Sequence, residues 1–138
     1  MNIDDAFRAL ILSSEAVTAL IGDRLYDGQN TIDVRADLPK VIYSLIREDT
    51  EQDDDGEVGI SRANYQLDAF APHSTDCDEI LKAIHAKLKT HTGTHEGVDF
   101  IWITRVTRRH QKPADKKPGA NTGPKRVTRE YRVIYRDE

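Results

Sequence analysis

Cys77, His85, His91 and His95 are the side chains of this sequence whose types and order come nearest to a transition-metal site. Zinc needs ligands that converge on one point. These spread from a predicted helix into the loop THTGTHEG at 90–97, and no short Cys pair anchors them. They read as exposed histidines, and no metal is expected. The run EDTEQDDDGE at 48–57 raises calcium instead, because Glu51, Asp53, Asp55 and Gly56 imitate the first half of a calcium-binding loop. The imitation fails at the first ligand position, which is Glu, and at the last, where Arg62 stands in place of a bidentate Glu. Such a run repels itself and reads as a solvated, mobile hairpin loop. Residues Gly119 to Lys125 resemble a phosphate loop only superficially. They lack the G-x-x-x-x-G-K-[ST] spacing, and no helical pattern follows.

The remaining catalytic signatures are missing from the sequence. It contains no nucleophile elbow, zincin motif, dinucleotide fingerprint or paired-cysteine motif. Paired acids occur only in the run at 48–57, and general acid–base work needs carboxyls whose pKa is tuned by burial. No catalytic residue, metal ligand or cofactor is therefore expected, and the chain does not read as an enzyme.

What stands out is charge. The acidic run carries Asp53, Asp54 and Asp55 at its centre. The stretch RRHQKPADKKPGANTGPKR at 108–126 supplies Arg108, Arg109, Lys112, Lys116 and Lys117, with three prolines and two glycines that exclude a packed element. The whole chain has a net charge of -4, which argues against a general nucleic-acid binder. A basic module over 105–126, using Arg105, Lys125 and Arg126 as well, is the alternative reading. The single cysteine forms no internal disulfide, which fits a reducing compartment. No apolar run approaches the roughly 18 residues that span a bilayer, and MNIDDAF carries acid where a signal peptide carries Lys or Arg.

The chain's 138 residues suit one domain, residues 1–138, which at this size buries roughly 70% of its unfolded surface. Its organising stretch is Ser61 to Leu88. Tyr65, Leu67 and Ala69 alternate with Asn64, Gln66 and Asp68, which predicts a strand with one apolar face. Pro72 stops it, and Ser74, Thr75 and Asp76 are each competent to cap a following helix. Cys77, Ile80, Leu81, Ile84 and Leu88 then recur at helical spacing, so the helix can lie across the strand.

Around this pair, residues 3–12 read as a helix capped by Asn2, with a short second turn carrying Val17, Leu20 and Ile21 and ending at Gly22. Asp23 to Tyr26 reads as a short strand or extended lead-in. Residues 40–47 carry apolar side chains on both faces, which suggests an interior strand. Residues 100–107 are the strongest strand signal, with Trp102 read as core or interface. Residues 127–136 close the chain as a strand. The expected fold is α+β and two-layered. It is a mainly antiparallel sheet of four to five strands, with two helices on one face and two long charged hairpin loops, 48–58 and 108–125, both mobile.

Four segments taken in order carry a resemblance. They are Ile21-Gly22-Asp23-Arg24-Leu25-Tyr26, Leu38-Pro39-Lys40-Val41-Ile42-Tyr43, Tyr65-Gln66-Leu67-Asp68-Ala69-Phe70 leading into a helix, and Tyr131-Arg132-Val133-Ile134-Tyr135. The set resembles the tail-completion or tail-terminator proteins of long-tailed bacteriophages and prophages, over most of the chain except 48–60 and 108–125. The resemblance implies a virion structural protein. It implies a ring of copies of the chain, commonly a hexamer, that caps the tail-tube protein and meets the head–tail connector protein. It implies no catalytic residues, cofactor, membrane or specific nucleic acid, and a place in the virion tail after assembly in the bacterial host cytoplasm. In a closed ring one patch meets a different patch on the neighbour. Asp53, Asp54 and Asp55 against Arg108, Arg109, Lys112, Lys116 and Lys117 are the candidate interface residues, since opposite charges steer assembly and fix register.

Overall fold

The computed structural model describes residues 2–28, 38–53, 56–106 and 125–137, and for 50–53, 56–59 and 137 the backbone alone. Its elements in chain order are α1 (Ile3–Leu12), α2 (Glu15–Ile21), β1 (Leu25–Asp27), β2 (Lys40–Asp53), β3 (Gly56–Ala71), α3 (Ser74–Thr90), β4 (Gly93–His95), β5 (Val98–Val106) and β6 (Lys125–Asp137). The six strands form one sheet in the order β1-β2-β3-β6-β5-β4. Every pair is antiparallel except β1 with β2, which is parallel.

Local signals set the helix boundaries. The Asn2 side chain accepts from the Asp5 N–H at 2.8 Å and opens α1, with Asp4 and Asp5 in the first turn. Ser14 accepts from Val17 N–H at 3.4 Å and opens α2. Gly22, at φ 61°, ends α2 in the left-handed region that suits glycine. The predicted second turn is thus a separate helix, which makes three rather than two. The α3 cap is corrected as well. His73 occupies the N-cap without a side-chain bond, and Ser74, Thr75 and Asp76 all fall inside the helix.

The helices cover one sheet face, called here the inner face. Phe7 and Leu10 of α1, Val17 and Ile21 of α2, and Cys77, Ile80, Ile84 and Leu88 of α3 are buried. They join a core supplied from the sheet by Val41, Tyr65, Leu67, Phe100, Tyr131, Val133 and Tyr135. Tyr65 donates to the Asp4 carboxylate and Tyr135 to the Glu48 carboxylate, so both buried hydroxyls are satisfied at the rim of the core.

The sheet also differs from the expected four to five strands. β4 arises within the loop predicted for 90–97, where Gly93 and Gly97 take φ of 107° and 80° and let the chain fold back on β5. The acidic run is largely strand. β2 pairs with β3 out to Asp53 opposite Gly56, with a register shift between Thr50 and Gln52, and only residues 54 and 55 between them lie outside the described residues. Backbone pairing does not require apolar side chains, so charge alone did not break the ladder. β2 is interior only beside β1, which pairs with Val41–Tyr43.

Candidate interaction surface

Of the residues singled out for their charge, Asp53 ends β2, while Asp54, Asp55, Arg108, Arg109, Lys112, Lys116 and Lys117 lie outside the described residues. The strands that carry these segments are described, and they fix where each one starts. Asp53 pairs with Gly56 at one end of the sheet. Lys125 pairs with Ala71 at the other, and Val106 lies five residues along β6 from it, opposite Glu130. β3 runs the whole way between, from Gly56 to Ala71, about 50 Å at the usual rise of about 3.3 Å per residue. Asp53 and Lys125, which border the acidic and basic segments, therefore lie at opposite ends of the sheet, with Val106 between those levels.

The histidines and the cysteine do not converge. The Cys77 thiol is buried and donates to the carbonyls of Ala69 and Lys125, and burial raises its pKa. His85 Nδ1 lies 2.9 Å from the Tyr131 hydroxyl. Burial pushes Tyr131 up to about 12. His91 stands edge-on to His95 and to Phe100, with ring centroids 6.0 and 5.5 Å away. Among the described residues no three of His, Cys, Asp and Glu gather as metal ligands. Among them also, no helix is long and apolar enough to cross a membrane.

The sheet face away from the helices, the outer face, is mainly polar. Asp68 is nearly buried there. Its carboxylate accepts from Thr128 at 2.5 Å and Gln66 at 3.0 Å and pairs with Arg126 at 3.2 Å. That cluster pins β3 to β6 near the basic end. Beside it Trp102, Thr104 and Val106 of β5 with Arg132 and Ile134 of β6 line a shallow groove of about 300 Å³. Trp102 is 61% exposed, so it does not join the core. The sequence did carry a sign of this. Phe100 to Val106 has apolar residues on both faces, and the helices available cover only one, so one set had to stay outside.

The described residues offer an exposed face lined by Trp102 and Arg132. A family model described as tail completion protein gp17 matches residues 5–136. No curated protein matches the chain in sequence. Among solved structures, a chain described as "Virion of native gene transfer agent (GTA) particle" has the same fold, at a TM-score of 0.58 and 13% identity, with 98% of this chain and 92% of that one covered.

Proposed function

This chain belongs to the family of tail completion protein gp17, and from that premise we propose that it forms a ring, with six copies the expected number, that caps the tail tube and joins it to the head connector. Membership of that family makes the protein a structural component of a phage virion tail and not an enzyme. What supports the finer reading is that Asp53 and Lys125, which border the acidic and basic segments of the sequence, lie at opposite ends of one sheet. A protein with two differently charged ends suits a position between two different partners, here the tube protein and the connector protein. The likeness in fold to a chain of a gene transfer agent virion agrees with a virion role.

A phage or prophage lacking this gene tests the reading. Tails assembled in the bacterial cytoplasm should be overlong or unjoined to heads under the electron microscope, and added protein should restore joined particles. Tails of normal length and normal joining without the protein would overturn it. Native mass spectrometry of the purified chain on short tubes should show a closed multimer of the 15.6 kDa subunit.

A further inference from the structure

The sheet has two edges that its own short strands only partly cover. β5 has nine residues, and β4 pairs with Val98, Asp99 and Phe100 alone. β2 has 14 residues, and β1 pairs with Val41, Ile42 and Tyr43 alone. Among the described residues, no strand pairs with the outer side of Ile101–Val106 or of Ser44–Asp53. An edge of this kind presents a row of backbone donors and acceptors ready to pair with another strand.

The exposed apolar side chains sit on these same two edges. Ile46 (47%), Ile101 (37%) and Trp102 (61%) are the large hydrophobic residues left exposed among the described residues. Ile46 and Ile101 are the extra residues at two of the three register shifts, between Leu45 and Arg47 and between Phe100 and Trp102. A bulge takes its residue out of the alternation that would have buried it.

We propose that these two edges form one interface, the free edge of β5 pairing with the free edge of β2 on a second copy of this chain. The inference rests on the ring reading and gives it a mechanism. The ladder itself sets the geometry. Trp102 faces Ile134, Ile134 faces Arg62 and Arg62 faces Asp49. Thr104 reaches Arg47 in the same way through Arg132 and Asn64. The two open edges therefore lie at the same level of the sheet. Copies related by rotation alone can join them without an axial step, and a heterologous contact with no step closes into a ring rather than a filament. Three antiparallel steps separate β2 from β5, so the junction is itself antiparallel.

Charge also favours a second copy as the occupant. The β5 edge carries Arg105 and no acid between Ile101 and Val106. Among the side chains described on the β2 edge, Glu48 and Asp49 stand against the single cation Arg47. Two β5 edges would place like charge together. So would two β2 edges. Only the unlike pair is complementary.

The test uses paired cysteines in the full chain, with Cys77 left in place because it is buried. Directly opposed residues of an antiparallel pair are about 4.5–5.5 Å apart, within disulfide reach. Thr104→Cys with Arg47→Cys and Trp102→Cys with Asp49→Cys probe the level register, and Thr104→Cys with Asp49→Cys probes a shift of two. Thr104→Cys with Glu79→Cys, on the exposed side of α3, is the control. One of the first three should yield a ladder of covalent multimers on oxidation, lost on reduction, while the control stays monomeric. Circular dichroism of each reduced variant establishes that it is folded. Cross-linked open chains would support the edge pairing while ending the ring reading. A closed ring with no pair above the control would overturn the edge pairing and leave the ring standing. Cross-links to the tube protein alone would also overturn it, and an absence of self-association even on tubes would overturn both.

Discussion

Phe7 of α1 stacks on Tyr65 of β3, with ring centroids 4.3 Å apart and planes 13° from parallel. The same tyrosine donates through its hydroxyl to Asp4, one turn back on α1. One residue of the central strand thus fixes both the depth and the direction of the first helix. Burial, followed by the Asp4 bond and charge, raises the Tyr65 pKa, so the hydroxyl stays protonated and donating.

Tyr65→Phe should therefore keep the stack and lose the bond. It should cost about 1 kcal/mol, with a further penalty if Asp4 loses solvation. Phe7→Ala removes the stack and leaves a cavity, at about 3–5 kcal/mol. Urea unfolding followed by circular dichroism checks both. If Phe7→Ala cost no more than Tyr65→Phe, the α1 seat would not depend on the stack.

Ile84, on the buried face of α3, has no exposed surface. Ile84→Ala should lose about 2–5 kcal/mol. An exposed neighbour on the same helix, Lys82→Ala, should change stability by less than about 0.5 kcal/mol. Chemical denaturation at equal temperature compares the two. Equal effects would mean that the helix is not seated as described.

Much of this was legible because burial imposes a period. The alternation of Tyr65, Leu67 and Ala69 and the helical stripe from Cys77 to Leu88 each had one place to go, and both are buried. The lengths of β2 and β3 were not legible, because charged residues can pair through backbone alone and leave no pattern in side-chain type. β4 was hidden for a related reason. Three residues, Gly93 to His95, are too few to show alternation, and glycine with φ above zero made the turn. Trp102 is the instructive case. Its type suggested core or interface, and its strand already had its buried set in Val98 and Phe100. Which copies or partners meet at such a face is a property of the assembly, and periodicity within one chain does not record it.

Two histidines give the fold an acid sensitivity. Burial, then Arg105 and Lys89, holds His85 below its ordinary value of 6.5. Burial does the same for His91, helped by His95 and Lys87 and opposed by a backbone hydrogen bond at Gly93. Each stays neutral in the folded chain at a pH where the unfolded chain takes up a proton. The stability this supplies is complete above the unfolded value and is lost as pH falls below it, through the lowered folded values. The melting temperature should fall between about pH 7 and about pH 5, and less steeply in a His85→Asn, His91→Asn variant. An equal slope in both proteins would show that other groups set the acid limb.

The charged segments should serve different partners. Replacing Lys112, Lys116 and Lys117 with Glu reverses the basic end, and replacing Asp53, Asp54 and Asp55 with Lys reverses the acidic end. Neither set contains an apolar residue, so both variants should fold and melt near the parent. Each should fail to complete tails. The informative experiment is the mixture. If the acidic end of one subunit met the basic end of its neighbour, a ring alternating the two variants would restore every contact, and joined particles would return. Asp53 and Lys125, the described residues that border the two segments, lie at opposite ends of β3, about 50 Å apart along it. The expected outcome is that the mixture rescues nothing, because one charge reads the tube and the other the connector. Rescue by mixing would instead mean that neighbouring subunits are tilted or offset by most of the length of β3, and the level edge-to-edge junction would fall with it. A defect confined to DNA retention, with tails complete and joined, would favour the basic segment acting on nucleic acid. In that case binding should weaken steeply with added salt.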